Sequence, residues 1–201
     1  MAIAKALREH SDEIIKANEI DIENGKNAGL TESLLDRLRL TPERINGMAE
    51  GVEQVAALAD PIGNVLEGRT LKNGLNIEKV RVPMGVIGII FEARPNVTSD
   101  AAALCLKAGS AVILRGGKEA INSNLAVSEI MRNAVESVGF PKDCIALVKD
   151  TSRQSATELM QLSDYLDVLI PRGGAGLIRS VVENAKSTCN RNRCRQLPYL
   201  C

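Results

Sequence analysis

The chain has 201 residues, 45% hydrophobic and 25% charged, which is the composition of a globular chain with one domain, or one domain and part of another. Lys plus Arg equals Asp plus Glu at 25 each, so no basic excess points to nucleic acid, and 2% aromatic content removes the stacking platforms of single-strand binders. One His leaves too few parts for a His-containing metal site or a Ser-His triad, no apolar run nears the ~18 residues of a membrane span, and no signal-peptide core opens the chain; the expectation is a cytoplasmic protein with a small-molecule partner and no membrane or metal.

Residues 2–24 place Ile3, Leu7, Ile14 and Ile15 among charges at helical spacing and predict one helix, closed by Gly25 in the left-handed region. His10 falls on a polar, solvated stretch of it. Thr41-Pro42-Glu43 offers a capping hydroxyl, a proline at the first helical position and an acid in the first turn, so a second helix runs from there to Asp60-Pro61. From Asn64 to Pro83 the pattern changes to alternation around Asn73-Gly74 and reads as a projecting β-hairpin.

From residue 84 short apolar runs, Val86 to Phe91, Ala111 to Leu114, Ile145 to Val148 and Val168 to Ile170, alternate with helical stretches near 97–107, 119–138, 152–162 and 175–185. Repeated βα units imply an α/β fold with a Rossmann-like parallel sheet and flanking helices. The expected organisation is a helical start over 1–63, a hairpin flap over 64–83 and a cofactor-binding domain over 84–186. Cys105 is predicted within a helix, and it and Cys144 read as buried thiols.

Ligands of such sheets sit at the carboxyl ends of the strands, which directs attention to three loops. Arg115-Gly116-Gly117-Lys118 follows one strand and Pro171-Arg172-Gly173-Gly174-Ala175-Gly176 another, each leading into a helix. Such turns let a phosphate approach N–H groups at a helix start, with a cation beside it. Neither is a G-x-G-x-x-G or Walker sequence, and tight turns with solvated cations would look the same. Arg115 and Lys118 are placed for a 2′-phosphate and no acid is evident for a free ribose hydroxyl, so NADPH is expected over NADH. In the third loop Glu92 is a candidate base or a solvated carboxylate, Arg94 a candidate anion ligand, and Asn96 either a helix cap, a role Thr98 can also fill, or a donor to a developing oxyanion.

The runs Val82-Pro83-Met84-Gly85-Val86-Ile87-Gly88-Ile89-Ile90-Phe91-Glu92-Ala93-Arg94-Pro95-Asn96-Val97-Thr98, Leu104-Cys105-Leu106-Lys107, Val112-Ile113-Leu114-Arg115-Gly116-Gly117-Lys118-Glu119 and Leu169-Ile170-Pro171-Arg172-Gly173-Gly174-Ala175-Gly176-Leu177 closely resemble the gamma-glutamyl phosphate reductase family. Leu35-Asp36-Arg37-Leu38 and Ala59-Asp60-Pro61-Ile62-Gly63 extend the likeness from the first helix to about Lys186. The resemblance implies an aldehyde-dehydrogenase-like fold with a cofactor domain, a catalytic domain carrying a nucleophilic cysteine and an oligomerisation flap, here 64–83. It implies NADPH-dependent reduction of L-glutamyl 5-phosphate to glutamate 5-semialdehyde in proline biosynthesis, with attack by a thiolate and release of phosphate. It also implies that the family has a further helical segment before the match to Met1.

Residues 187–201 depart from the family, have no helix or strand period, and contain Cys189, Cys194 and Cys201 without paired zinc spacing. One codon choice for this tail, read one base out of frame, spells Val-Pro-Val-Ile-Glu-Thr-Gly-Val-Gly-Asn-Cys-His-Ile-Tyr-Val, the family's continuation. The expectation is a frameshifted tail after Lys186, with the family's catalytic cysteine and catalytic domain missing, the fold incomplete and prone to aggregation, and turnover by this chain alone lost. Resequencing the gene across the Lys186 codon should find the rest of a reductase in the shifted frame; its absence downstream would make the tail authentic.

Overall fold

The computed structural model describes residues 1–186 and the backbone of 188–189, so most of the expected tail lies outside the described residues. Helices α1 (Ala2–Glu9) and α2 (Ser11–Asn27) replace the single helix expected at the start, with the exposed His10 at the break. Gly25 does not end α2. It is buried inside the helix, where a Cβ would stand 3.0 Å from the side chains of Leu30 and Leu35. The left-handed residue is Gly29, at φ 73°, and the Leu30 N–H closes the turn on the Gly25 carbonyl.

The short helix α3 (Glu32–Leu38) was not predicted, because seven residues carry too little period to stand out. Helix α4 (Pro42–Ala57) begins as expected, with Thr41 Oγ1 accepting the Arg44 N–H at 3.3 Å. Strands β1 (Val65–Thr70) and β2 (Asn76–Val80) form the antiparallel hairpin, every residue of it exposed.

The second half alternates as predicted: β3 (Val86–Phe91), α5 (Asn96–Lys107), β4 (Ala111–Arg115), α6 (Ile121–Glu136), β5 (Ile145–Leu147), α7 (Arg153–Gln161), β6 (Val168–Arg172) and α8 (Ala175–Asn184). The strands form one parallel sheet in the order β5-β4-β3-β6-β7. Strand β7 (Thr188–Cys189) pairs with Val168 and Leu169, so the sheet continues two residues into a stretch expected to lack regular structure.

One apolar core joins α1, α2 and α4 to α5, α6 and one face of β3 and β4, through side chains such as Leu7, Ile14, Ile45, Val97, Leu114 and Met131. The helical start therefore shares its core with the sheet. A second, smaller cluster on the other face packs Ile90, Leu159, Leu169 and Val181 between the sheet and α7 and α8.

Polar groups within the first core set its geometry. Asp21, 1% exposed, accepts from Asn122 N at 3.1 Å and Ser123 N at 2.8 Å, capping α6 from another helix. Asn122 Nδ2 and Ser123 Oγ add bonds of 2.8 and 2.6 Å to the same carboxylate. One turn away, Asn18 donates to Ser123 Oγ and the Leu38 carbonyl and accepts from Leu40 N, so the chain after α3 is bound to α2 and α6. Asp21→Ala would strand these buried donors and should lower stability by roughly 3 kcal/mol, read as a fall in the urea midpoint; a loss below about 1 kcal/mol would mean that other acceptors replace the carboxylate.

Candidate functional site

In this sheet β4 and β6 flank β3, and the chain passes from β5 on one side to β6 on the other. Strand order thus reverses beside β3, which opens a crevice at the carboxyl ends of β3 and β6. Phe91 and Arg172, at those ends, are register partners, so the loops that follow them meet.

Glu92 Oε1 accepts the Gly174 N–H at 2.9 Å. A Cβ on Gly173 would stand 2.7 Å from the Glu92 carboxyl carbon, so a larger residue there would displace the Glu92 side chain. Helix α8 starts at the next residue, and the N–H groups of its first turn have no intrahelical acceptor. Open space surrounds Gly176. The positive end of α8 therefore faces the crevice, with Glu92 as the anion at its mouth.

Arg37, Arg94 and Arg172 join Glu92, Gly173 and Gly174 around a cavity of about 280 Å³. A second cavity of about 440 Å³ shares Arg37 and Arg94 and extends past Asn96 and Asp100. Asn96 does not cap α5 and neither does Thr98: the cap position is Pro95, and Thr98 Oγ1 bonds Asn124 Oδ1 at 3.0 Å. Asn96 Nδ2 instead donates to Asp100 Oδ2 at 3.1 Å. Burial raises the Asp100 pKa above the usual carboxylate value, while the Asn96 hydrogen bond and the charge of Arg172 pull it back.

The other glycine loop is built differently. Gly116 and Gly117 are buried, and a Cβ would stand 2.3 Å from Asn124 Nδ2 on the first and 3.2 Å from Ala93 N on the second. These glycines permit close packing. Arg115 Nη2 donates to the carbonyls of Thr151 and Ser152 at 2.8 and 2.9 Å, and burial lowers its pKa, partly offset by Asp150 and Glu119. The N–H groups at the start of α6 are those taken by Asp21, so the expected backbone contact with a phosphate has no free donors at Asn122 and Ser123. Lys118 alone among the expected cofactor residues of this loop is exposed.

Arg172, Gly173 and Gly174 are thus brought together with Glu92 and Arg94, whereas Arg115 and Lys118 belong to a neighbouring loop that touches this one where Gly117 backs onto Glu92 and Ala93. Sequence reasoning missed Arg37, which lies in the unpredicted α3. Its sequence neighbourhood does not separate it from Arg39 and Arg44; in the fold those two reach Glu32 and Asp36, whereas Arg37 has no ion pair among the described residues.

A sequence profile described as the aldehyde dehydrogenase family matches residues 1–194. Gamma-glutamyl phosphate reductase of Clostridium novyi is 58% identical over 184 residues, covering 92% of this chain and 44% of that protein. The reductase of Halothermothrix orenii is 54% identical over 185 residues, with 92% and 44% covered. Crystal structures of gamma-glutamyl phosphate reductases from Thermotoga maritima and Saccharomyces cerevisiae superpose with TM-scores of 0.91 and 0.85 at 43% and 34% identity, covering 93% and 94% of this chain and 45% and 48% of theirs. The chain therefore spans less than half the length of these relatives. No described helix is long and apolar enough to cross a membrane.

No cysteine lines the smaller cavity among the described residues. Cys144, expected to be buried, is only half-buried, whereas Cys105 is 5% exposed in α5, as expected, and burial pushes its thiol up to about 11. The folded pKa lies above the ordinary value of about 8.5, so this group's contribution to stability is present below about 8.5 and lost as pH rises through about 11. Alkylation at neutral pH, mapped by mass spectrometry, should label Cys105 only after unfolding; rapid labelling of the native chain would contradict its burial.

Proposed function

The chain belongs to the aldehyde dehydrogenase family, and from that premise we propose that it is the nucleotide-binding part of a reductase that converts L-glutamyl 5-phosphate to L-glutamate 5-semialdehyde, with NADPH as reductant and phosphate as product, in proline biosynthesis. The observation that carries this reading is the open first turn of α8 at the β3–β6 crevice. Identity of 54–58% to gamma-glutamyl phosphate reductases supports the choice of substrate.

The residues fit a dinucleotide. Gly173 and Gly174 let a diphosphate approach the N–H groups at the start of α8, where it would displace the Glu92 carboxylate from Gly174. Lys118, exposed on the neighbouring loop, would pair with a 2′-phosphate, and Arg115 shapes that loop by holding the Thr151 and Ser152 carbonyls. Bound NADPH supplies the hydride. In this reading Arg94 and Asn96 serve the substrate, and the Asn96 amide, which donates to Asp100, would turn to an oxyanion. The reaction also needs a thiolate, and burial raises the pKa of both cysteines whose side chains are described, Cys105 and Cys144. In this reading the chain's own part is to bind the cofactor.

A second reading, association with a full-length reductase or another copy through 64–83, draws on the hairpin. Val65, Leu66, Leu75, Ile77 and Val80 are all exposed on it, an apolar surface suited to a protein partner.

Titration of the chain with NADPH and NADH, followed by nucleotide fluorescence, tests the first reading. NADPH should bind the more tightly, and Lys118→Gln should weaken NADPH by about fivefold while leaving NADH unchanged. Glu119 and Asp150, close enough to act on Arg115, are acids of the kind a free ribose hydroxyl would use, so a preference for NADH would reverse the cofactor assignment. Glu92→Ala removes the internal anion and should tighten NADPH about fivefold; no binding to any variant would sink the proposal.

A further inference from the structure

Five arginines line the two cavities that share Arg37 and Arg94: Arg37, Arg39, Arg44, Arg94 and Arg172. Two are neutralised locally, Arg44 by Asp36 at 2.9 Å and Arg39 by Glu32 at 3.8 Å. The other three have no ion pair or side-chain hydrogen bond among the described residues, and these three all line the smaller cavity. They come from three places in the chain: α3, the loop after β3, and the end of β6. Glu92 is the single acid on that wall, and one of its oxygens is committed to Gly174 N–H. Like charges gathered from distant segments repel one another; Asp100 on the adjoining cavity interacts with the charge of Arg172, and a small cavity lined by three arginines and one glutamate is matched by a compact anion of two charges.

We propose that Arg37, Arg94 and Arg172 form a receptor for a phosphate dianion, adjoining the nucleotide's diphosphate site at Gly173 and Gly174, that holds the phosphate of the acyl phosphate substrate. The identity of the phosphate's carrier rests on the reductase reading; the anion site rests on the cavity. Arg172 then belongs with the substrate rather than with the cofactor. Arg94 and Arg172 follow paired strand ends, which sets their spacing, and Arg37 is brought in by α3, whose following residues Asn18 ties to the rest of the fold. Guanidinium groups stabilise a phosphate more strongly as it leaves with full charge than while it is still joined to the acyl group in the mixed anhydride, so the same receptor would favour departure of the leaving group.

The test is a calorimetric titration of the 201-residue chain with inorganic phosphate at low ionic strength, where exposed guanidinium groups are least screened. Phosphate should bind the parent chain, also when it is saturated with NADPH. Arg37→Gln should weaken phosphate by about tenfold or more with NADPH affinity unchanged. Arg39→Gln, one ion-paired neighbour away, should leave phosphate affinity within about twofold. Arg37 is exposed and unpaired, so its replacement should not disturb folding, and a circular-dichroism melt checks this. Equal phosphate affinity in the parent and Arg37→Gln would overturn the proposal. So would competition between phosphate and NADPH with parallel loss of both in the variant, because the cluster would then belong to the cofactor. Arg37-dependent phosphate binding without any NADPH binding would uphold the anion site and remove the reductase reading instead.

Discussion

The buried carboxylate of Asp21 is the constraint from which much of the arrangement follows. A charge that is 1% exposed has to be satisfied within the fold, and here the start of α6 satisfies it with two N–H groups and the side chains of Asn122 and Ser123. That contact locks α2 onto the sheet's helical layer. Asn18, on the same helix, holds the Leu38 carbonyl and the Leu40 N–H, and so determines where α3 lies. The crevice thereby acquires Arg37 from a segment that is remote in sequence from β3 and β6.

The two glycine loops show how similar local sequences acquire different roles from tertiary context. Both place paired glycines and cations between a strand and a helix. After β4 the helix start is filled by Asp21, the glycines pack against Asn124 and Ala93, and the arginine is held by backbone carbonyls. After β6 the glycines are exposed, and the group at the helix start is the carboxylate of an exposed, rotatable Glu92 side chain. A fixed anion closes one helix end, and an exchangeable one leaves the other available.

The alternation of β3 to α8 was legible because short unbroken apolar runs alternate with helical stretches, and α5, α7 and α8 begin behind Pro95, Ser152 and Gly174; Val86–Phe91 and Ala175–Asn184 fall where the pattern places them. The break at His10 was not, since nothing in its neighbours forbids a continuous helix, and Gly25 misled because its small size serves packing against Leu30 and Leu35 rather than a left-handed turn. Candidate residues at the strand ends, Glu92, Arg94 and Arg172, were visible from topology alone. Arg37 and Asp100 were not, because what distinguishes them is the lack of an ion pair at the one and burial near the charge of Arg172 at the other, and spacing in one dimension does not encode that.

The pairing of β3 with β6 joins Ile87 to Val168 across some eighty residues, while its other partner, β4, begins at Ala111. During synthesis β3 can acquire one neighbour early, but its second edge stays vacant until α5, β4, α6, β5 and α7 have all emerged. Closing so long a loop is the slow, entropically costly step expected of parallel sheets. The crevice is therefore assembled late in biogenesis, and until then the apolar edge of Val86–Phe91 is a surface that a chaperone, or a neighbouring nascent chain, can occupy.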